Sequence, residues 1–493
     1  MIARKPLALS SLLALAACNM APHYVRPAMP VPAATPQGPS YAPAQDGSAA
    51  IADLSWQAFF TDDRLRKLIA VALDNNRDLR IAVANVAQAR AQYRVQNADI
   101  FPTIGVNGGG TFQRIPGQII SESDGTASGG GGASANNGLG TLVGASNNNS
   151  IRSNIYSASV GVSAWEVDLF GRVRNLSQAA QEQFFAAAEN RDAARTSLIA
   201  EVATAWLNLA ADRDRLRIAQ DTARAYGETL IIIQGRAHEG SASDLDVKQA
   251  QTSYEQARSD IASTTTAVAQ DRNALDLLAG TPVSADLLPA ELGGSDVTIT
   301  DLPAGLPSQL LLRRPDVAGA EDKLRAANAD IGAARAAFFP QISLTAAFGT
   351  TSLGLSNLFG NGSSFWSVAP SVTLPIFDFG KNRGNLHYAE ATRDAMVATY
   401  EKSVQTAFRE VADALARRGT IDEQLSAQVS LRDAAQGSYR LADARYQEGV
   451  DSFLNTLDAQ RSYYSAQQTL VATRLARQSN AVELYRALGG GLK

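Results

Sequence analysis

The sequence of 493 residues has little cysteine, histidine or net charge. A single cysteine excludes an internal disulfide framework and any Cys-based zinc or iron–sulfur site. The formal net charge of −4 gives no electrostatic case for a nucleic-acid partner. There is no HExxH, GxSxG or P-loop pattern, and nothing marks a glycosidase-like pair among the 48 acidic residues. An enzyme is therefore the weaker alternative, and no metal or diffusible cofactor is expected.

Residues 1–17 have the pattern of a secretory signal peptide. A basic start precedes the apolar run Leu7 to Ala17, which is too short to span a bilayer comfortably. Cys18 follows Leu15-Ala16-Ala17, as in a bacterial lipobox, so a covalent lipid is expected on its thiol. Asn19 rather than Asp comes next, which favours the outer membrane over retention at the inner membrane.

Two segments have the composition of linkers. Seven prolines fall between residues 22 and 43, so residues 18–55 are expected to form an extended, lipid-anchored tether. Residues 117–150 are almost wholly Gly, Ser, Asn, Thr and Ala, which predicts a long mobile surface loop.

An internal duplication organises the remainder. An offset of 238 residues separates Phe101-Pro102 from Phe339-Pro340. Further on the offset is 209 residues, for Gly171-Arg172 with Gly380-Lys381, Glu201-Val202-Ala203 with Glu410-Val411-Ala412, and Glu239-Gly240 with Glu448-Gly449. The difference of 29 residues is attributed to the loop at 117–150. We therefore expect a first repeat at 56–290, a linker at 291–315 and a second repeat at 316–493.

Very long helices are predicted where proline is absent, from 117 to 281 and from 376 to 493. Apolar residues there recur at a spacing of three to four, for example Ile199, Val202 and Trp206. One helix of about 67 residues, roughly 100 Å long, is expected in each repeat. Each should turn at a glycine, Gly240 or Gly449, into a return helix. The predicted helices are 61–100, 172–238, 241–278, 316–339, 381–447 and 452–488.

Four short segments alternate between apolar and small or polar residues, which predicts strands. They lie at about 103–113, 154–168, 341–350 and 365–376, close to the length that a tilted strand needs to cross a bilayer. An ordinary half-buried sheet fits the alternation too, but the lipoprotein leader and the very long helices favour a membrane barrel. Because four strands cannot close a barrel and open edges are not tolerated in hydrocarbon, several copies must combine. The predicted fold is a mixed α and β membrane protein: four strands per chain in an oligomeric transmembrane β-barrel, and coiled-coil helical hairpins in a periplasmic α-barrel.

Several motifs resemble those of the TolC-like outer-membrane efflux lipoproteins, the exit ducts of tripartite drug pumps. They are CNMAPHYVRP from Cys18, the segment Trp56 to Tyr93, WEVDLFGR from Trp165, LRRPD at 312–316, and the tail DSFLNTLDAQRSYYSAQQ…LYRALGGG from Asp451. The resemblance covers essentially Cys18 to Gly491, and its main departure is the loop at 117–150. It implies a homotrimer with a twelve-stranded barrel in the outer membrane of a Gram-negative bacterium. The duct is anchored by lipid and extends into the periplasm. Its implied partners are a periplasmic adaptor (membrane fusion) protein and an inner-membrane transporter of the resistance–nodulation–division type.

The same resemblance implies two groups of site residues. Leu454 and Asp458, spaced i, i+4 after the second turn, would lie on one helix face and narrow the closed periplasmic end as threefold rings. A ring of carboxylates would disfavour anions and attract cations. The hairpin turns would face the adaptor, through Arg236, Gly240, Ser241, Arg445, Gly449, Val450 and Asp451. Simple turn chemistry also explains the two glycines.

Other readings stay open at this point. The cargo of such a duct includes drugs, metal cations or exported polypeptides, and three methionines after the initiator weakly disfavour a metal specialist. A structural coiled-coil lipoprotein of the periplasm is a further alternative. It predicts no pore and leaves the four alternating segments unexplained.

Overall fold

The computed structural model describes residues 19–41, 54–115, 151–292, 296–299 and 308–490, without the side chains of 115 and 151–153. The predicted signal peptide at 1–17, the lipid site Cys18 and the loop at 117–150 lie outside the described residues, as does part of the linker 291–315. Within the described ranges, no helix is both long enough and apolar enough to cross a membrane.

Helices dominate the described residues, and four strands accompany them. The helices are α1 (Trp56–Phe59), α2 (Asp63–Asn75), α3 (Arg77–Ala98), α4 (Arg172–His238), α5 (Asp244–Ala279), α6 (Pro315–Ala336), α7 (Lys381–Gln447) and α8 (Phe453–Ala487). The strands are β1 (Ile104–Ile115), β2 (Ile151–Glu166), β3 (Gln341–Ser352) and β4 (Ser364–Thr373). The order helix, two strands, long helix, return helix therefore occurs twice along the chain.

The two longest helices, α4 and α7, have 67 residues each and no proline. Each begins after a glycine with positive φ, Gly171 at 80° and Gly380 at 83°. An aspartate then accepts hydrogen bonds from the first turn: Asp168 from the Arg174 amide at 2.9 Å and Asp378 from the Asn382 amide at 2.8 Å. These carboxylates satisfy amide groups that have no partner within the helix.

The single helix predicted over 61–100 is wrong, because the structure has α2 and α3 with a break at Asn76. Asn76 leaves the helical conformation at ψ 135°. Its side-chain amide donates to the Leu278 carbonyl at 2.9 Å, and its side-chain oxygen accepts from the Leu79 amide at 2.9 Å. One residue thus ends α2, caps α3 and is held by a segment that is distant in sequence, which local propensity does not reveal.

The chain divides into two compact units. The first comprises residues 93–178 and 329–389 with the chain up to Pro22. Its centre is an antiparallel sheet in the order β1-β2-β3-β4. The strands are joined to helix ends: the Trp165 indole donates to the Ile100 carbonyl at 3.2 Å, and Phe170 stacks on Phe339 at 4.8 Å between ring centres.

The second unit contains residues 23–92, 179–328 and 390–493. Its core is built around large side chains that are almost fully buried, including Phe59, Trp206, Tyr400 and Tyr485. Phe59 and Tyr485 stack at 4.2 Å between ring centres, and the Trp206 indole donates to the Leu287 carbonyl at 3.0 Å. Residues from both sequence repeats therefore share one core.

The proline-rich segment is packed on the second unit rather than a free tether. Residues 23–41 have no regular helix, but Tyr24 and Met29 contact the core. Glu321, whose side chain is 7% exposed, accepts from the Tyr24 hydroxyl at 3.1 Å and from the Arg26 guanidinium at 3.0 Å. Burial opposes ionisation of this carboxyl, but hydrogen bonds and charges from Arg26 and Arg325 lower its pKa.

We expect Glu321 to make the docking of residues 23–33 sensitive to acid. A carboxyl group with a lowered folded-state pKa stabilises the fold above its unfolded pKa, and the contribution is lost as pH falls through the folded-state value. Hydrogen exchange of residues 23–33 should therefore be slow at pH 7 and rise below about pH 4. Glu321→Gln should weaken the docking at pH 7 by about 2 kcal/mol and abolish the acid dependence.

The matched control is Asp322→Asn, because Asp322 is the next carboxyl group on α6 but bonds to Arg325 rather than to the N-terminal segment. Equal exchange at pH 7 in the wild type and in Glu321→Gln would contradict the prediction.

Candidate functional site

The strand register collects the apolar residues of all four strands on one face of the sheet. Directly paired residues of antiparallel strands share a face. The pairs include Ile104 with Val162, Val160 with Phe348, Phe348 with Trp366, and Ile342 with Val372. The face is open within the chain, since Val106 is 84% exposed and Trp366 76% exposed. A four-stranded apolar surface is thus uncovered; we name it the apolar sheet face.

The opposite face carries small and polar residues, with two glycines at points of close strand approach. A Cβ on Gly161 would lie 2.2 Å from the Ala346 carbonyl oxygen, and one on Gly349 would lie 2.2 Å from that of Ala158. Glycine is required where backbones approach this closely in a strongly coiled sheet.

Gly349→Ala is expected to prevent correct pairing of β2 and β3, at a cost of the order of 3 kcal/mol, because the added methyl group overlaps a backbone atom. The measurement is the yield of protease-resistant protein in the membrane fraction. Gly109→Ala is the control on the same face, where the nearest atom to a new Cβ is 3.9 Å away. Equal yields for the two variants would show that the close approach does not matter.

The alternation predicted through Ala164 is interrupted. The register of β2 against β3 shifts between Val162 and Trp165, and Ala164 adopts a φ of 49°. The Ala164 amide donates to the Thr345 hydroxyl at 3.2 Å. This bulge turns Trp165 towards Ile100, and Glu166 then accepts two hydrogen bonds from the Arg172 guanidinium at the start of α4.

The first hairpin turn, between α4 and α5, depends on Gly240 with a φ of 76°. The Arg236 carbonyl accepts from the Ser241 amide at 2.8 Å and from the Ser241 hydroxyl at 3.0 Å. Ser243 and Asp246 form a capping box at the start of α5. The Arg236 guanidinium lies 4.7 Å above the centre of the Tyr446 ring.

The second turn, between α7 and α8, depends on Gly449 with a φ of 74°. Its Ser452 makes no side-chain cap. Instead Arg445 donates to both oxygens of Asp451, at 2.5 and 3.2 Å, and lowers the pKa of that carboxyl. Val450 remains 62% exposed. The charged residues predicted for the two turns thus bond within the chain, and the turn backbones and Val450 stay accessible.

Leu454 and Asp458 lie on the open face of α8, one turn apart. Leu454 is 46% exposed and Asp458 is exposed, while the preceding residues Phe453 and Leu457 are buried at 3% and 1%. The predicted pair therefore shares one face, and the opposite side of the same turns is anchored in a core.

Two contacts that the sequence did not predict hold α8 against α5 near this face. Arg461 donates to the Ser253 hydroxyl at 3.0 and 3.2 Å, and the Tyr464 hydroxyl donates to Asp260 at 2.9 Å. Burial and the Asp260 carboxylate raise the pKa of Tyr464. The partners are more than 200 residues apart in sequence, so no local pattern marks them.

Three of the sequence motifs meet in a buried ion cluster. Arg314, whose side chain is 5% exposed, donates to Asp316 at 2.7 and 3.0 Å, to Glu410 at 2.8 Å and to the Ala487 carbonyl at 2.6 Å. Arg486 reaches the other oxygen of Glu410 at 3.2 Å. LRRPD, the Glu-Val-Ala motif of α7 and the C-terminal LYRALGGG are thus tied together; we call these residues the Arg314 cluster.

Comparison with known proteins gives a consistent picture. A family model described as outer membrane efflux protein matches residues 68–281 and 306–490. Two relatives from Pseudomonas putida, the toluene efflux pump outer membrane protein TtgC and the antibiotic efflux pump outer membrane protein ArpC, are each 44% identical over 478 residues, covering 97% of this chain and 93% of each relative. A crystal structure of a membrane protein from Pseudomonas aeruginosa superposes with a TM-score of 0.84 at 40% identity, covering 96% of this chain and 98% of that chain.

Proposed function

The chain belongs to the family of outer membrane efflux proteins, and on that premise we propose that it is the passive exit duct of a tripartite efflux pump. Proteins of this family are channels of the outer membrane rather than enzymes. In the proposal, an inner-membrane transporter of the resistance–nodulation–division type supplies the energy. A periplasmic adaptor joins that transporter to the duct.

The observation that carries the proposal is the uncovered apolar sheet face with its two outer strands. Within the described residues, β1 and β4 each pair on one side only. In hydrocarbon an unpaired strand edge costs several kcal/mol per unsatisfied group, so the edges of separate copies must pair with one another. We assign the apolar sheet face to lipid and the small polar face to the lumen of a barrel of twelve strands from three chains.

Exposed apolar side chains on the long helices support the same assembly. Ile231 on α4 and Leu441 on α7 are 70% and 65% exposed. Apolar side chains at such positions lower the free energy when a neighbouring helix covers them. In the proposal, helices of adjacent copies cover them and complete a periplasmic helical barrel.

Leu454 and Asp458 form the constriction in this proposal. Three copies bring three leucines and three carboxylates to the closed end, which narrows the passage and disfavours anions. The bonds of Arg461 to Ser253 and of Tyr464 to Asp260 hold α8 in the closed position, because both join it to α5 of the first hairpin.

The turns at Gly240 and Gly449 are the proposed contact with the adaptor. Ser241 and Val450 are exposed there. Since Arg445 and Asp451 pair with each other, recognition would rest on the turn backbone and on apolar contact at Val450 more than on free charge.

The lipid on Cys18 remains a proposal of the sequence pattern. The docked segment from Tyr24 onwards supports it indirectly, because it fixes the chain six residues after Cys18 on the folded body. A lipid there would anchor the duct to the outer membrane. For cargo, the relatives named for toluene and antibiotic efflux favour small organic molecules, including drugs.

The test is single-channel conductance of the purified, lipidated protein in planar bilayers, together with its mass in detergent. Small cation-selective openings from a species of three chains are expected. A monomer that never conducts would overturn the duct and favour a periplasmic coiled-coil lipoprotein.

A further inference from the structure

A small apolar cluster beneath the two turns joins both helical hairpins. Ile233 of α4, Ala250 of α5, and Phe453 and Leu457 of α8 are each at most 3% exposed, and Tyr446 of α7 packs against them. All four helices therefore meet at this point. Because Tyr446 is only partly buried, the cluster is open on the side where its ring lies.

Arg236 covers that side. Its guanidinium lies 4.7 Å above the centre of the Tyr446 ring, and the Tyr446 ring lies 5.6 Å from that of Phe453. Arginine over the face of an aromatic ring is attracted by the negative charge of that face. The end of the first hairpin thus holds the end of the second.

Both members of this pair also carry hydrogen bonds of their own turns. The Arg236 carbonyl accepts from the Ser241 and Ala242 amides at 2.8 and 3.2 Å, and the Tyr446 carbonyl accepts from the Gly449 amide at 3.0 Å. A contact that displaces either turn therefore acts directly on the backbone of Arg236 or Tyr446.

The cluster also sets the direction of the constriction residues. Phe453 and Leu457 precede Leu454 and Asp458 by one position, and successive residues of a helix point about 100° apart. As long as Phe453 and Leu457 stay in the cluster, Leu454 and Asp458 must face away from it.

We propose that Arg236 and Tyr446, with the apolar cluster they cover, form a clasp that keeps the constriction closed. A partner bound at the turns opens the constriction by separating the two side chains. The inference rests on the proposed function, because it assigns the regulation of that same constriction. It makes Arg236 a positioning residue and not only a surface contact for an adaptor.

The experiment compares Arg236→Ala and Tyr446→Leu with the wild type as purified full-length protein in planar bilayers, without any adaptor. Both variants should raise the resting open probability roughly two- to thirty-fold, the range that corresponds to losing one cation–π contact. Tyr446→Phe keeps the ring and should behave as the wild type. The double variant should open no more than the stronger single variant, because the two side chains act through one contact.

Two measurements separate the clasp from loss of fold and from failure of the duct. Mass in detergent and thermal stability must match the wild type in at least one of the two opening variants. If neither opens more than the wild type while Asp458→Ala does, the clasp is wrong and the duct stands. If no variant conducts, Asp458→Ala included, the duct and the clasp both fail.

Discussion

Asp458→Ala is expected to raise the resting conductance of the assembled duct several-fold and to reduce its preference for cations. Each copy loses a carboxylate from the narrowest ring, so both the electrostatic barrier to anions and part of the steric obstruction disappear. The measurement is conductance and reversal potential in asymmetric KCl across a planar bilayer. This prediction joins the exposure of Asp458 on α8 to the selectivity of the pore.

Leu454→Ala separates size from charge, because it widens the same level of the duct and leaves the carboxylate ring in place. Its conductance should rise while its cation preference is kept. Asp433→Ala is the control, an exposed carboxylate on α7 outside the proposed constriction. Unchanged conductance and ion preference in both Asp458→Ala and Leu454→Ala would show that these residues do not form the constriction.

Arg314→Ala is expected to have the largest effect on stability, a loss of about 3–5 kcal/mol. Removing one partner of a buried ion cluster leaves the other charges without compensation in a region of low polarity. Here Glu410 and the Ala487 carbonyl would lose their donor. A cavity would also form beside Gly489, where an added Cβ would lie 3.2 Å from the Arg314 side chain. The measurement is the half-life of the folded oligomer at a fixed elevated temperature in detergent.

Arg313→Ala is the matched control, since Arg313 is the neighbouring arginine but is exposed. Its half-life should stay close to that of the wild type, because most exposed substitutions change stability by about 0.5 kcal/mol or less. Equal half-lives for the two arginine variants would mean that the Arg314 cluster does not hold the second unit together.

Much of the local structure could be predicted because its causes are local. The two 67-residue helices follow from long stretches without proline, and their turns from Gly240 and Gly449, where positive φ excludes most side chains. The break at Asn76 could not be predicted, because its side chain is held by Leu278, about 200 residues away. The packing of the proline-rich segment depends in the same way on Glu321, a distant residue that its composition does not indicate.

The candidate site divides along similar lines. The spacing of Leu454 and Asp458 placed both on one face of α8, because helix geometry alone relates residues four apart. The partners of Arg236, Arg461 and Tyr464 could not be predicted, because each lies on a different helix whose rotation is set by packing. For that reason Arg236 was expected only as an adaptor contact, although its side chain lies on Tyr446.

By itself, the sequence determined the family, the lengths of the helices and strands, and the glycines at the turns. These depend on backbone conformation, side-chain period and motifs that are read within one segment. Only the tertiary structure decided which residues of the four strands share a face, how three motifs meet at Arg314, and how the two hairpins are joined beneath their turns. Those features depend on register and helix rotation, which are set by contacts between segments one hundred or more residues apart and leave no mark on the local pattern.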